Sequence, residues 1–280
     1  MTRPALAAAL ARRTLLLLSL VALSACTAAS AVTTAPFAPP SPRYAAIVVE
    51  APSGRVLHDT RADAIRFPAS LTKMMTMYIV FEAMQQGRVS RSSLIPVSRR
   101  AAAQPPSKLY IKPGNPIAVD TALSALAVKS ANDVAVAVAE YMSGSESRFA
   151  ALMTRRARSL GMRDTVFRNA SGLPDKRQVT TARDMAKLGI ELRRRFPQYF
   201  HYFAKRSFAY NGRTIRGHNR VLGMLGGADG IKTGYTRASG FNLVTSVRRG
   251  RRTYVGVILG ENSGRSRDRH MVQLLQATIR

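Results

Sequence analysis

The chain has 280 residues, 43 Lys+Arg against 15 Asp+Glu, a formal net charge of +28 and 46% hydrophobic residues. That apolar share supplies a sizeable core and excludes an intrinsically disordered chain, while a single Cys excludes an intrachain disulfide framework and a thiolate zinc site. The basic excess, taken alone, would suit a nucleic-acid partner.

The first 25 residues point away from that partner. They carry Arg3, Arg12 and Arg13, no acidic residue, and then the apolar run Thr14–Leu23 (TLLLLSLVAL). A basic stretch before an apolar run about half the ~20 residues of a membrane span reads as a secretory signal peptide over residues 1–25. Export places the chain in the periplasm or on the outer side of the cell membrane and removes most nucleic-acid roles. Taking three charges from +28 leaves +25 on the mature chain. Leu23-Ser24-Ala25-Cys26 resembles the lipobox of bacterial lipoproteins, which makes Cys26 a candidate lipidation site. Ala29-Ser30-Ala31 fits an ordinary signal-peptidase site instead, and Arg12-Arg13 is a poor match to a twin-arginine signal.

Residues 26–43, rich in Ala, Thr, Pro and Ser, read as a flexible tether. Its length spans roughly 20–25 Å as a coil, enough to hold a domain just above a membrane. The folded part is expected over 44–280. Tyr44–Glu50 (YAAIVVE) reads as a strand, Pro52-Ser53-Gly54 as a turn and Arg55–Asp59 as the returning strand. Pro68-Ala69-Ser70-Leu71-Thr72-Lys73 opens a helix that runs to about Gln86 and stops at Gly87. Its apolar residues, including Leu71, Met74, Met75, Tyr78 and Ile79, leave little polar face, so it reads as a central, buried helix.

Helices are predicted over Thr121–Lys129 and Asn132–Tyr141, broken at Lys129-Ser130-Ala131, and over Phe149–Gly161 and Thr181–Phe196. The period then changes. Gly230–Tyr235, Ser239–Val247 and Thr253–Leu259 read as an antiparallel meander with Arg249-Gly250-Arg251 as a turn, followed by a helix over Gly264–Thr278. This order predicts an α+β architecture: one antiparallel sheet built from both ends of the chain, flanked by helices, with a helical insert between.

Three short motifs carry chemistry. In Ser70-x-x-Lys73, the i and i+3 positions of a helix share one face, so a Lys amine can reach a Ser hydroxyl. That amine is a base only when neutral, which desolvation and a nearby second cation both favour. Ser130-Ala131-Asn132 sits at the break between helical segments and could equally be helix capping. Lys232-Thr233-Gly234 falls in a predicted strand and could equally be a Lys-protected edge. With these compositions chance supplies about 0.7, 0.6 and 0.04 copies respectively, so the three together are far more specific than any one.

Together the motifs resemble the penicillin-recognising serine enzymes, and among them the low-molecular-mass penicillin-binding proteins of the D-alanyl-D-alanine carboxypeptidase group. The resemblance extends to Phe67–Thr76, Asn169–Asp175, Thr180–Asp184 and Asp229–Thr236, and covers residues 44–275. It implies a β-lactamase/transpeptidase-like fold, an antiparallel sheet flanked by helices with an all-helical subdomain and the active site between them. It also implies roles. Ser70 would be the nucleophile, Lys73 its base and Ser130 the proton relay to the leaving D-Ala nitrogen. Asn132 would bind the substrate amide, Lys232, Thr233 and Gly234 the terminal carboxylate region, and the N–H groups of Ser70 and Tyr235 the oxyanion. Arg267 would contact the terminal carboxylate. The expected partners are peptidoglycan stem peptides, β-lactams as covalent inhibitors and a membrane through Cys26. No nucleic acid, metal or organic cofactor is expected, and the chain is expected to be a monomer.

Departures from the pattern keep alternatives open. Many relatives carry a β-rich second domain and a carboxy-terminal amphipathic anchor. This chain ends at Arg280, so an amino-terminal lipid would replace the anchor. Endopeptidases that cut D-Ala cross-links are also short and use the same apparatus. A serine β-lactamase of the commonest class needs a Glu to activate the deacylating water, and none lies between Glu146 and Glu191. A catalytically idle wall-binding protein would not need all three motifs. His58, His201, His218 and His270 form no ligand cluster in sequence and read as structural or surface residues. The basic surface itself suits anionic envelope polymers or lipid head groups.

Overall fold

The computed structural model describes residues 39–51 and 53–279. The expected signal peptide, Cys26 and most of the expected tether lie outside them. Among the described residues no helix is long and apolar enough to cross a membrane.

Both ends of the described chain meet in one five-stranded antiparallel sheet. Strands β1 (Ala45–Glu50) and β2 (Val56–Thr60) form the amino-terminal hairpin. Two short ribbons follow in the chain: β3 (Leu94–Pro96) with β4 (Pro116–Ala118), and β5 (Ser207–Tyr210) with β6 (Arg213–Arg216). The carboxy-terminal meander is β7 (Ala228–Thr236), β8 (Gly240–Arg249) and β9 (Arg252–Glu261), and the sheet order is β2-β1-β9-β8-β7. The predicted turn at Arg249-Gly250-Arg251 joins β8 to β9.

The period-two alternation of the central strands divides the apolar residues between two cores. Ala45, Ile47 and Val49 of β1, with Val255, Val257 and Leu259 of β9, face one core with the helices of the middle of the chain. Ala46, Val48 and Ile258 face the other, closed by Met271, Leu274 and Leu275. The first core holds helix α1 (Thr72–Gln85), in which twelve residues from Thr72 to Met84 are buried. With apolar residues on every side the helix has no solvent stripe, as the sequence pattern predicts. Around it pack α2 (Asn132–Ser143), α3 (Glu146–Ser159) and α4 (Ala182–Arg195). Phe81 alone touches Phe196, Tyr199, Tyr202 and Phe203, and each such buried aromatic is worth roughly 1.5–3 kcal/mol. The second core is covered by α5 (Gly264–Thr278), whose start is set by Ser263 and Ser266 in a reciprocal capping box.

Three features differ from the sequence reading. The helical insert also contains the β3–β4 ribbon. Residues 207–216, given no element from sequence, form the β5–β6 hairpin, whose turn residues Asn211 and Gly212 both have positive φ (48° and 70°). That Asn-Gly pair is a hairpin signal. The described structure also begins before the expected boundary at Tyr44. Ser41 Oγ donates to the Gly260 carbonyl at 2.7 Å, Asn262 Nδ2 donates to the Pro40 carbonyl at 2.8 Å, and Arg66 Nε donates to the Arg43 carbonyl at 2.6 Å, so Pro40–Arg43 are docked on the sheet end.

Candidate active site

Ser70 lies in a single 3-10 turn, Ala69–Leu71, that feeds directly into α1. One helical turn later, Lys73 is fully buried, with its Nζ 3.3 Å from Ser70 Oγ. The same nitrogen donates to Asn132 Oδ1 at 2.8 Å and to the Ser171 carbonyl at 2.5 Å. Asn132 cannot be turned over, because its Nδ2 donates to the Pro105 carbonyl at 2.9 Å. A neutral amine has two N–H bonds and one lone pair. The two fixed acceptors take the N–H bonds, and the lone pair is left facing the Ser70 hydroxyl. Burial, and then the nearby Lys232, hold Lys73 well below the ordinary lysine range, while Asp133 pulls weakly the other way.

Lys232, on β7, is also buried, and its Nζ donates to the Thr233 carbonyl at 2.9 Å. Burial, then Arg267, push it down to about 7. Arg267 is held in the wall by its neighbour, donating to Asp268 Oδ1 from Nε at 2.9 Å and from the terminal nitrogen at 2.6 Å. Burial raises the Asp268 carboxyl above the usual range, against the pull of Arg267.

The break between helical segments is a turn of π-helix, Ala125–Lys129, ended by Ser130 in the left-handed conformation (φ 61°, ψ 39°). That geometry turns Ser130 out of the helix, and its Oγ is buried with no protein partner. Asn132 and Asp133 then begin α2. The Asp133 carboxylate accepts from the N–H groups of Leu109, Tyr110 and Val134, which pins the loop beside the Ser130 turn.

Two glycines let the parts close on the Ser70 turn. Gly172 has φ +86°, and a Cβ there would stand 1.9 Å from the Ala69 carbonyl oxygen and 2.9 Å from Ser70 N. A Cβ on Gly234 would meet Pro68 O at 3.1 Å and Ser70 N at 3.2 Å. The Ser70 amide is therefore approached from both sides only by glycine backbone. Asn242, fully buried in β8, ties the turn to the sheet: its Nδ2 donates to the carbonyls of Phe67 (2.9 Å) and Pro68 (3.1 Å), and its Oδ1 accepts from Gly260 N (2.9 Å).

These elements surround a cleft of about 670 Å³. Ser70, Ser130, Asn132, Thr233, Gly234, Tyr235 and Arg267 all line it, so the structure brings the sequence-predicted residues together. Lys73 and Lys232 stand behind its wall and act through their contacts and their fields. Exposed Tyr235 stacks on Phe241 at 4.2 Å. Sequence reasoning missed Asn242, Asp133, Gly172 and Ser171 as positioning groups. Asn242 had a signal, an amide in the middle of an apolar strand. His218, read as an isolated histidine, also reaches the cleft wall, where burial, then Lys232, Lys129 and Arg267, keep it below its ordinary pKa.

The family model described as D-alanyl-D-alanine carboxypeptidase matches residues 33–263. The chain is 34% identical to D-alanyl-D-alanine carboxypeptidase DacA of Escherichia coli over 239 residues, 82% of this chain and 59% of that protein. It superposes on the crystal structure of the carboxypeptidase DacD from Francisella tularensis with a TM-score of 0.81 at 30% identity, covering 83% of this chain and 69% of that one. It is similar also to penicillin-binding protein D2 of Listeria monocytogenes, crystallised in a cefotaxime-bound form (TM-score 0.77, 28% identity, 84% and 96% covered). The chain spans about 60% of the length of the first curated relatives it matches.

Proposed function

The chain belongs to the D-alanyl-D-alanine carboxypeptidase family, and from that footing we propose that it removes the terminal D-Ala from peptidoglycan stem peptides through a Ser70 acyl-enzyme. The observation that carries the reading is the Lys73 tripod: two fixed acceptors, a buried nitrogen and one lone pair directed at Ser70 Oγ. As Ser70 Oγ bonds to the scissile carbonyl carbon, its proton passes to Lys73 Nζ. The oxyanion is met by the N–H groups of Ser70 and Tyr235. The unpartnered Ser130 hydroxyl passes a proton on to the departing D-Ala nitrogen as the C–N bond breaks. The second N–H of the Asn132 amide binds the substrate backbone, and Thr233, Arg267 and the field of Lys232 receive the terminal carboxylate. Water then cleaves the Ser70 ester.

A β-lactam follows the same first step and is released slowly. Among the described residues no glutamate lines the cleft, and Glu146 is held by Ala170 N (3.1 Å) and Arg100 (2.8 Å). This disfavours a β-lactamase. Mass spectrometry of purified peptidoglycan after incubation with the protein tests the reading. Release of D-Ala from monomeric stems supports it. Loss of cross-linked dimers with intact monomers assigns the endopeptidase reaction instead.

The apolar run after Arg12-Arg13 and the Leu23–Cys26 sequence support an exported protein anchored by a lipid on Cys26, in the periplasm or on the outer side of the cell membrane. Metabolic labelling with a radioactive fatty acid tests the anchor, since label retained by Cys26→Ala would exclude it.

A further inference from the structure

Three separate segments bring Arg43, Arg61, Arg66 and Arg237 together at the end of the sheet where β1 begins, and none of the four pairs with a carboxylate among the described residues. Arg43, Arg61 and Arg66 donate to carbonyls instead. A terminal nitrogen of Arg43 donates to the Arg237 carbonyl at 2.8 Å. Arg61 and Arg66 both reach the Pro42 carbonyl, each at 3.3 Å, which holds the two guanidinium groups side by side. The carboxylates of the same loop, Asp59 and Asp63, are bridged by Arg183 at 2.6 and 2.7 Å. Between Arg61 and Arg66 stands Ile65, an apolar side chain 53% exposed.

A carbonyl orders a guanidinium without neutralising it. Arg43 and Arg61 each keep N–H donors in a planar fork that suits phosphate oxygens. The opposite end of the sheet differs. There Arg248 pairs with Asp229 at 3.2 Å and Arg252 with Glu50 at 3.6 Å, so half of the charge at the β8–β9 turn is already answered. The chain also enters the domain at the first end, where Asn262 holds the Pro40 carbonyl. Cys26 precedes Pro40 by 14 residues. At no more than ~3.6 Å per residue, a lipid on Cys26 would lie within about 50 Å of this entry point. The opposite end is a ten-residue strand further on, about 33 Å.

We propose that this face docks the domain on an anionic phospholipid bilayer, with the four arginines against lipid phosphates and Ile65 in the acyl boundary. Arginines alone would suit a soluble anionic polymer equally well. An exposed isoleucine set among them gains only from a surface that has an apolar layer beneath its charges. Docking also orients the enzyme, because Arg237 directly follows Thr236 on the cleft wall and so brings the cleft close to the membrane. The inference goes beyond the carboxypeptidase reading and does not need the lipid on Cys26.

The test reads the face itself, since the apolar run Thr14–Leu23 can bind a bilayer on its own. A polarity-sensitive dye is attached at Ile65→Cys, or at Leu94→Cys as control, in the full chain carrying Cys26→Ala. Leu94 is as exposed (60%) but lies on β3, in the helical insert. Phosphatidylglycerol vesicles should shift the Ile65 dye to the blue, phosphatidylcholine vesicles should not, and the Leu94 dye should stay unchanged. High salt should abolish the shift. Arg61→Asn with Arg237→Ser should raise the phosphatidylglycerol concentration needed for half the shift ten- to thirtyfold; Asn suits the positive φ of Arg61 (52°). No shift at Ile65, an equal shift at Leu94, or a shift indifferent to both salt and the arginines overturns the inference. A shift as large with soluble polyphosphate assigns the face to anionic polymers and overturns the lipid occupant. Labelling by a fluorescent penicillin shows whether each variant is folded, and if the double variant fails that control the salt dependence decides.

Discussion

Lys73 and Lys232 are two buried amines whose pKa values both lie below the ordinary lysine range. Burial, then the charge of Lys232, holds Lys73 well below the ordinary lysine range, and burial, then Arg267, holds Lys232 at about 7. The site thus separates two lysines of the same chemical type into a base and a cation by burial and by the order in which positive charges are stacked behind the cleft.

This order predicts a bell-shaped pH profile. Acylation needs Lys73 neutral and Lys232 charged, so kcat/KM should rise with pH as Lys73 loses its proton and fall again as Lys232 deprotonates at about 7. Lys232→Gln removes a neighbouring cation and raises the Lys73 pKa, so the acylation that survives loss of the Lys232 charge should be slower and show its acid limb at higher pH. Arg267→Gln relieves the repulsion on Lys232 and should move the alkaline limb to higher pH. Acylation rates by a chromogenic β-lactam from pH 5 to 10 check both, and limbs that coincide with the parent's would sink the coupling.

The same lysines tie stability to pH. Each binds fewer protons folded than unfolded, so the unfolding free energy should climb as pH rises from about 7 towards the ordinary lysine range. Lys232→Met should therefore raise Tm more at pH 6, where the native state must bury a charge, than at pH 9. Thermal unfolding at the two pH values decides it.

Ser130 has a left-handed backbone and an unpartnered hydroxyl. Ser130→Gly removes the Cβ together with its hydroxyl and suits the left-handed backbone, which should gain up to about 1 kcal/mol in denaturant unfolding. D-Ala release should fall by about a hundredfold or more if the hydroxyl is the proton relay. Unchanged turnover would assign the relay elsewhere.

Asn242 donates two hydrogen bonds to the carbonyls just before Ser70 and accepts a third from Gly260 N within the sheet. Asn242→Ala should cost about 2–3 kcal/mol of stability, since it strands two carbonyls and one N–H. It should also slow acylation by about ten- to a hundredfold, because displacement of the nucleophile by a fraction of an ångström is expensive. Urea unfolding and penicillin labelling on one preparation measure the two effects.

Gly172 and Gly114 share a positive φ (86° and 84°), but only Gly172 has no room for a Cβ. Gly172→Ala should abolish penicillin labelling, whereas Gly114→Ala, which faces open space, should cost only the ~1–2 kcal/mol of left-handed strain. Equal labelling by the two variants would show that close approach to the Ala69 carbonyl does not matter.

Much of this molecule was legible in its sequence. Period-two runs in β1, β8 and β9 and the all-round apolar character of α1 determined the sheet and its central helix, because burial on both faces leaves no polar stripe. The motif spacings singled out residues that the structure brings to one cleft, because i and i+3 on a helix share a face whatever surrounds it. Neither pattern could reach the groups that aim the chemistry. Asn242 lies 172 residues from Ser70, Ser171 lies 98 from Lys73, and Gly172 matters only because the Ala69 carbonyl comes to rest where its Cβ would be. Whether Lys73 is a base depends on how completely it is desolvated and on a cation 159 positions away, and those are properties of packing. Residue types and local periods belong to the sequence; the electrostatic order of the two lysines, and the cleft beside Gly172, exist only once distant segments are packed together.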